Sequence, residues 1–164
     1  MLIQEIEKQE SLKLLAKMNL GRLACAQGNQ PYIAPFYFAY DSSYLYGFST
    51  VGQKIEWMRA NPLVCVETDE MTSSEEWVSI VILGRYEELP DTPEWKTARE
   101  VAYAMLQQKA SWWEPGYSKT IVQGVERPLV PVYFRIQIAQ ITGRRGTPDA
   151  ASGIATKTKH ASSS

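Results

Sequence analysis

The sequence predicts a mainly β fold, a closed or nearly closed six-stranded antiparallel barrel with flanking helices. Three observations carry this expectation. Six strand-like runs dominate the 164 residues, and the successive ones are joined by tight turns, which implies antiparallel pairing. Few helical segments exist to cover that much sheet, and closing the sheet removes its exposed edges. The strand–helix alternation of a dinucleotide-binding parallel sheet is absent, as is its glycine fingerprint.

The elements follow in order. Residues 11–19 (SLKLLAKMN) have helical spacing, with Leu12, Leu15 and Met18 on one side and Gly21 just past the end. An apolar run at 22–27 reads as a strand, Gly28-Asn29 as a turn, and the aromatic-rich 32–40 as the returning strand. Asp41-Ser42-Ser43 turns the chain into a third strand at 44–49. A short helix spans 51–60 and is stopped by Asn61-Pro62. A strand at 63–68 and a polar loop at 69–75 lead to 77–89, aliphatic on both faces as a central strand would be. Thr92-Pro93 opens a helix that runs to about Lys109, with Trp95, Ala98, Ala102 and Met105 on its buried face.

Residues 110–127 read as irregular and contain the adjacent pair Trp112 and Trp113. The clearest strand is 129–142, with Val130, Val132, Phe134, Ile136 and Ile138 on one face and Tyr133, Arg135, Gln137 and Ala139 on the other. From Gly146 onward the residues are small and polar, and cannot bury enough surface to offset the entropy of ordering. The expectation is one domain over 1–145 and a disordered tail over 146–164.

Composition excludes several function classes. The formal net charge is −1 and the basic residues are scattered, which argues against a nucleic-acid-binding face. No apolar run approaches the roughly 20 residues needed to cross a bilayer, and the N-terminus, MLIQEIEKQE, is unlike a signal peptide. A cytoplasmic, non-membrane protein is expected. Cys25 and Cys65, the two cysteines, sit in separate apolar runs and read as free buried thiols. The single histidine, His160, lies in the tail, so neither a Ser-His-Asp nor a Cys-His mechanism is expected, and a zinc site lacks ligands.

The most informative segment is YLYGFSTVGQKIEWMRANP, residues 44–62, where a strand gives way at once to a helix. Thr50 and Gln53 have the spacing of a capping box. The first amides of a helix lack internal partners and lie at the positive end of its dipole, which makes an anion site. Ser49, Thr50 and Lys54 add two hydroxyls and a cation, and Gly52 allows close approach to the backbone. The hypothesis is a phosphate-bearing ligand; the alternative is an ordinary capped helix with a surface lysine. Pro35 inside a strand-like run marks an edge or bulge.

The order of elements, and the segments GRLACAQGNQPYIAPFYFAY, LYGFSTVGQKIEWMRANPLVCVE, WVSIVILGRYEEL and VPVYFRIQIAQITGRR, resemble the flavin-binding split-barrel proteins related to pyridoxamine 5'-phosphate oxidase. The nitroimidazole-reductase-like branch is the nearest. The resemblance spans about 12–145, and its most specific part is Ser49, Gly52 and Lys54 as SxxGxK. It implies a split barrel that binds FMN at a homodimer interface. The flavin phosphate would lie against Ser49, Thr50, Gln53 and Lys54, and the ring along Ala34, Pro35, Phe36 and Tyr37. Trp77 and Ser79 match positions that approach the flavin, with core packing the alternative for Trp77. The Trp112–Trp113 segment would reach the partner's flavin or else plug the barrel end.

This chain has Phe48 where that branch often has a histidine, and no arginine–histidine run suited to pyridoxamine phosphate, so oxidase activity on that vitamer is not expected. The functional expectation is an FMN-dependent oxidoreductase acting on a small molecule. A flavin carrier or sensor without turnover, or the same barrel holding haem or a deazaflavin, is the alternative. Tyr37 and Tyr40 could donate a proton, but tyrosines in aromatic strands mostly pack, and no catalytic residue is assigned.

Overall fold

A computed structural model describes residues 1–109, 120–127 and 130–149. The elements are β1 (Leu2–Ile6), α1 (Lys8–Leu15), β2 (Leu20–Gln27), β3 (Gln30–Tyr40), β4 (Tyr44–Thr50), α2 (Gln53–Ala60), β5 (Leu63–Met71) and β6 (Trp77–Glu88). A 3₁₀ turn at Pro93–Trp95 leads into α3 (Lys96–Leu106), then β7 (Thr120–Val122), β8 (Val125–Arg127) and β9 (Pro131–Thr147).

Six strands close a ring in the order β9-β4-β3-β2-β5-β6 and back to β9, every pair antiparallel; β1 is added to the far half of β9. The barrel expected from the sequence is therefore present. Its interior follows from period-two alternation. Leu23 and Cys25, Phe36 and Phe38, Val64 and Val66, Ile80 and Ile82, and Phe134 and Ile136 point inward and are nearly or fully buried. Gly47 and Gly84 lie beneath Phe134 and Ile136, where a Cβ would sit 2.3 and 2.6 Å from those side chains, so the ring can close around large residues.

Helix α3 covers the outer surface of the β3–β4–β9 side, where Ala102 and Leu106 pack with Ala39, Tyr46, Phe48 and Leu89. Arg135 pairs with Glu87 and lies over the Tyr44 ring at 4.1 Å, while Arg99 lies over Tyr133 at 4.9 Å and donates to the Leu89 carbonyl at 2.6 Å. Helix α2 closes one end of the barrel: Ile55 and Met58 are fully buried, and Trp57 meets Tyr32 edge-on at 5.8 Å.

Several expectations need correction. The N-terminal helix is Lys8–Leu15, not 11–19, and a strand, β1, precedes it. The last strand runs to Thr147, past the expected domain end at 145, because Gly143 and Gly146 pair on both sides, with β1 and with β6. Between Leu83 and Gly84 of β6 the opposing residues jump from Gln140 to Ile138, a bulge that leaves Ala139 extra. The bulge changes which residues face inward, from even numbers up to Ile138 to Ile141 and Gly143 beyond. Val130, expected to share a strand face with Val132 and Phe134, precedes the strand, which begins at Pro131, and is 52% exposed. Within the expected irregular stretch, β7 and β8 form a hairpin. Trp112, Trp113 and tail residues 150–164 lie outside the described residues.

Candidate functional site

The site is built where two neighbouring strands part. The β3–β4 ladder holds only three pairs, Phe38↔Gly47, Ala39↔Tyr46 and Tyr40↔Leu45. Beyond them β4 stays with β9 and β3 stays with β2, so among the described strands residues 30–37 have a partner on one side only. Pro35 fits this division. The Phe38 amide donates to Asn19 at 2.9 Å, which makes 38/19 a bonded pair. Bonded and non-bonded pairs alternate in an antiparallel ladder, so 36/21 is bonded and 35/22 is not. The N–H that proline lacks would thus have pointed to the open side. The backbone groups of Ile33 and the Tyr37 amide also point to that side, while the Tyr37 carbonyl faces the Phe48 amide of β4; among the described strands none pairs with the edge at Ile33 and Pro35.

At the end of β4 the capping box does not form. Thr50 is still a strand residue, opposite Pro131, and the N-cap of α2 is Gly52, which makes no side-chain cap. The box fails because the β4–β9 ladder holds Thr50 two residues before the helix cap. The consequence favours a ligand: the first amides of α2 are not occupied by a capping side chain. Gly52 has extended backbone (φ −171°), and a Cβ there would meet nothing closer than the Thr50 carbonyl at 4.0 Å. Packing does not demand glycine here; its effect is open space in front of the helix.

Lys54 lies beside this start, half-buried, and among the described residues no carboxylate pairs with it. Burial pushes its ammonium below the ordinary lysine value, an effect that nearby Cys25 opposes. Burial likewise raises the Cys25 thiol, against the pull of the Lys54 cation. A desolvated cation without a counter-charge costs free energy, and an anion would relieve that cost. Ser49 is 5% exposed, and its hydroxyl reaches the Thr50 carbonyl only at 3.4 Å, near the limit of hydrogen bonding. Ser49 and Thr50 alternate across β4, so the strand does not present both hydroxyls on one side. The donors at this strand-to-helix junction are the α2 amides, Lys54 and one strand hydroxyl, the kind of groups a phosphate takes.

The other expected residues are distributed as follows. Ala34 is half-buried and Pro35 exposed along the open edge, with Tyr37 half-buried two residues on. Phe36 is 3% exposed, stacked on Phe134 at 6.2 Å and paired in the ladder with Gly21, so it belongs to the core rather than to a ligand surface. Gln53, the first helical residue, is exposed. Phe48 packs against Tyr133 at 4.7 Å under α3.

Trp77 and Ser79 are not near Lys54 in the same chain. They line a groove of about 680 Å³ on the outer face of β6 and β9, with Thr142, Arg144 and Glu5. Along the sheet, β6 is three strands from β3, roughly 14 Å at the usual spacing of ~4.8 Å. The Ser79 hydroxyl donates to Glu67 at 3.0 Å.

The family model for pyridoxamine 5'-phosphate oxidase matches residues 7–145. The chain belongs to this family. Another relative, an uncharacterized protein of Rhizobium meliloti, is 38% identical over 144 residues, covering 88% of this chain and 95% of the other. The crystal structure of an FAD-binding protein of Mesorhizobium loti is 42% identical, with a TM-score of 0.73 over 90% of this chain and 99% of that one. The FAD-binding protein of Mycobacterium smegmatis, at 22% identity and TM-score 0.59 over 87% and 97% of the two chains, shares the fold. The barrel of this pyridoxamine 5'-phosphate oxidase family member is thus a split barrel, and the split is the parting of β3 from β4. No helix among its described residues is long and apolar enough to cross a membrane.

Sequence reasoning missed one surface. Ile33, Ala24, Cys65 and Leu83 lie in register across β3, β2, β5 and β6 on the outside of the barrel. Ile33 and Leu83 are 61% and 47% exposed, and neighbouring Leu63 is 64% exposed. The signal was available: each of these residues is out of phase with the core positions of its own strand.

Proposed function

We propose that this protein binds a flavin nucleotide, with FMN the cofactor its site accounts for, and works as a homodimeric flavin-dependent oxidoreductase on a small molecule. One observation carries the reading: among the described residues, a half-buried Lys54 with no carboxylate partner beside uncapped helix amides, next to a strand edge that no described strand covers. A phosphate would take the amides of Gln53 and Lys54, the Lys54 ammonium and the Ser49 hydroxyl. The open edge at Ile33, Pro35 and the Tyr37 amide offers backbone groups to the polar side of a flat heterocycle, with Ala34 between them. A bound flavin supplies hydride or electron transfer at its ring. The protein's part is to anchor, orient and shield it.

A second copy is part of the proposal. One flavin ring cannot readily meet both the β3 edge and Trp77 with Ser79 of the same chain, which lie three strands apart. The exposed row of Ile33, Leu63 and Leu83 is the surface that a second copy would cover. Trp77 would then approach the partner's flavin. Trp112 and Trp113, outside the described residues, belong to the same proposal as aromatic contacts across the dimer.

A second reading of the cofactor is FAD, favoured by the 42% identical Mesorhizobium protein, which binds FAD. The visible spectrum of protein purified without added cofactor, and chromatography of what heat releases from it, separate FMN from FAD. Anaerobic mixing with NADH or NADPH then tests turnover: bleaching near 450 nm, about the usual flavin band, with reoxidation by an acceptor supports an enzyme. A colourless protein that takes up neither nucleotide overturns the proposal.

A further inference from the structure

The helix that offers its amides is only two turns long, and its attachment is unusual. Inside the barrel it is held by Ile55 and Met58. Apolar contacts of this kind are non-directional, so they fix which face turns inward but tolerate sliding along the axis. Directional bonds hold it at both ends: just before the helix the Val51 amide donates to the Val130 carbonyl at 3.0 Å, and the remaining ones are at the far end. Arg59 donates from Nε and Nη2 to the two oxygens of Glu88, both at 2.7 Å. The Tyr86 hydroxyl donates to the same carboxylate at 2.9 Å, and the Tyr86 ring is 6% exposed, packed on Phe134. Just past the helix, the Tyr86 amide donates to the Pro62 carbonyl at 2.8 Å, and Asn61 Nδ2 donates to Ala26 at 3.1 Å.

We propose that Glu88 is a positioning residue for the anion-binding start of α2, acting through Arg59. The inference rests on the phosphate reading above and extends it to a residue outside the site. A lone surface ion pair would carry little. This one is bidentate, has a third donor from the core, and joins the helix to the β6 strand. The bidentate geometry defines both distance and angle. With the chain held at Val51, the pair at Arg59, about 9 Å along the helix from Gln53, sets the direction of the helix axis and with it the direction in which the first amides point. The positive side chain also sits on the last turn, where it complements the helix dipole.

The test compares two ligands that differ only in the phosphate. Flavin-free wild type, Glu88→Gln and Arg59→Gln are titrated with FMN and with riboflavin, followed by flavin fluorescence. Both variants should bind FMN roughly tenfold more weakly, the scale on which groups that orient ligand-holding residues act. Both should hold riboflavin as the wild type does. Arg59→Gln alters a half-exposed side chain, so it keeps the test informative if Glu88→Gln folds poorly. Equal weakening of both flavins, or unchanged FMN affinity, overturns the positioning role. A wild type that does not prefer FMN to riboflavin overturns the phosphate reading itself, and the role of Glu88 with it.

Discussion

Replacing Gly52 with aspartate should stabilise the ligand-free protein while weakening its hold on FMN. The two effects share one cause. Gly52 is the N-cap of α2, its backbone is extended, and a Cβ there has room. An aspartate carboxylate can therefore accept from the amides two or three residues on, those of Lys54 and Ile55, as N-cap residues do. Replacing glycine at an N-cap gains a few tenths of a kcal/mol, and a negative charge at the helix start adds about 0.3–1 kcal/mol. The sum, about 0.5–1.5 kcal/mol, corresponds to a rise in Tm of roughly 1–6 °C for a chain of this size. The same carboxylate would sit where the phosphate belongs. Two unit charges about 5 Å apart repel by roughly 1–3 kcal/mol for effective dielectric constants between water and a protein surface. The carboxylate must also give up its amides. FMN affinity should fall about 30- to 100-fold, which is 2–3 kcal/mol, with riboflavin much less affected. Thermal unfolding of the apo-protein and parallel titrations with the two flavins read both effects. A stabilised variant with unchanged FMN affinity would show that the amides are not the phosphate site. A destabilised one would show that they are not free.

Lys54→Met should weaken FMN binding by about 1–3 kcal/mol, the range for a lost charge-assisted hydrogen bond, and leave riboflavin binding and apo-protein stability unharmed; titration and urea unfolding measure these. Burial lowers Lys54 in the fold, so the folded chain loses that proton before the unfolded chain does as pH rises. Stability should therefore increase with pH across the window below the ordinary value of 10.5, while FMN affinity declines over the same window; both trends should vanish in the methionine variant. If the proposed dimer forms through the exposed row of Ile33, Leu63 and Leu83, Ile33→Asp and Leu83→Arg should each give a monomer in sedimentation velocity and reduce flavin affinity; a flavin-loaded wild-type monomer would contradict the proposed dimer. Gly47→Ala should cost about 1–3 kcal/mol in urea unfolding, because its Cβ would sit 2.3 Å from the ring of fully buried Phe134.

The barrel was legible because its cause is local. Alternating apolar residues, tight turns after Gln27 and Tyr40, and a helix stop at Asn61-Pro62 are all properties of neighbouring residues. What was missed depends on residues far away. β1 shows no alternation because its side chains are exposed, with only Ile6 half-buried, and it is a strand only because β9 offers an edge. The polar run TGRRGT looks like the start of a tail. Its glycines are instead the positions where Ser11 Oγ and the Trp77 indole would meet a Cβ at 2.5 Å.

The candidate site divides the same way. A helix carrying Lys54 in its first turn was readable from the sequence, but its start was placed at 51 rather than at Gln53, because the capping-box spacing could not show that a ladder to β9 had already claimed Thr50. Phe36 was placed with Pro35 and Tyr37 as a ring contact, although alternation turns it inward. That Trp77 and Ser79 lie three strands from Pro35 depends on strand order, which no local pattern encodes.

The crystal structure of the protein with FMN bound is the most direct measurement. The account predicts the phosphate within about 3 Å of the Gln53 and Lys54 amides and of Lys54 Nζ, with the ring beside Pro35. A flavin whose phosphate lies in the outer groove near Arg144, with Lys54 untouched, would contradict it.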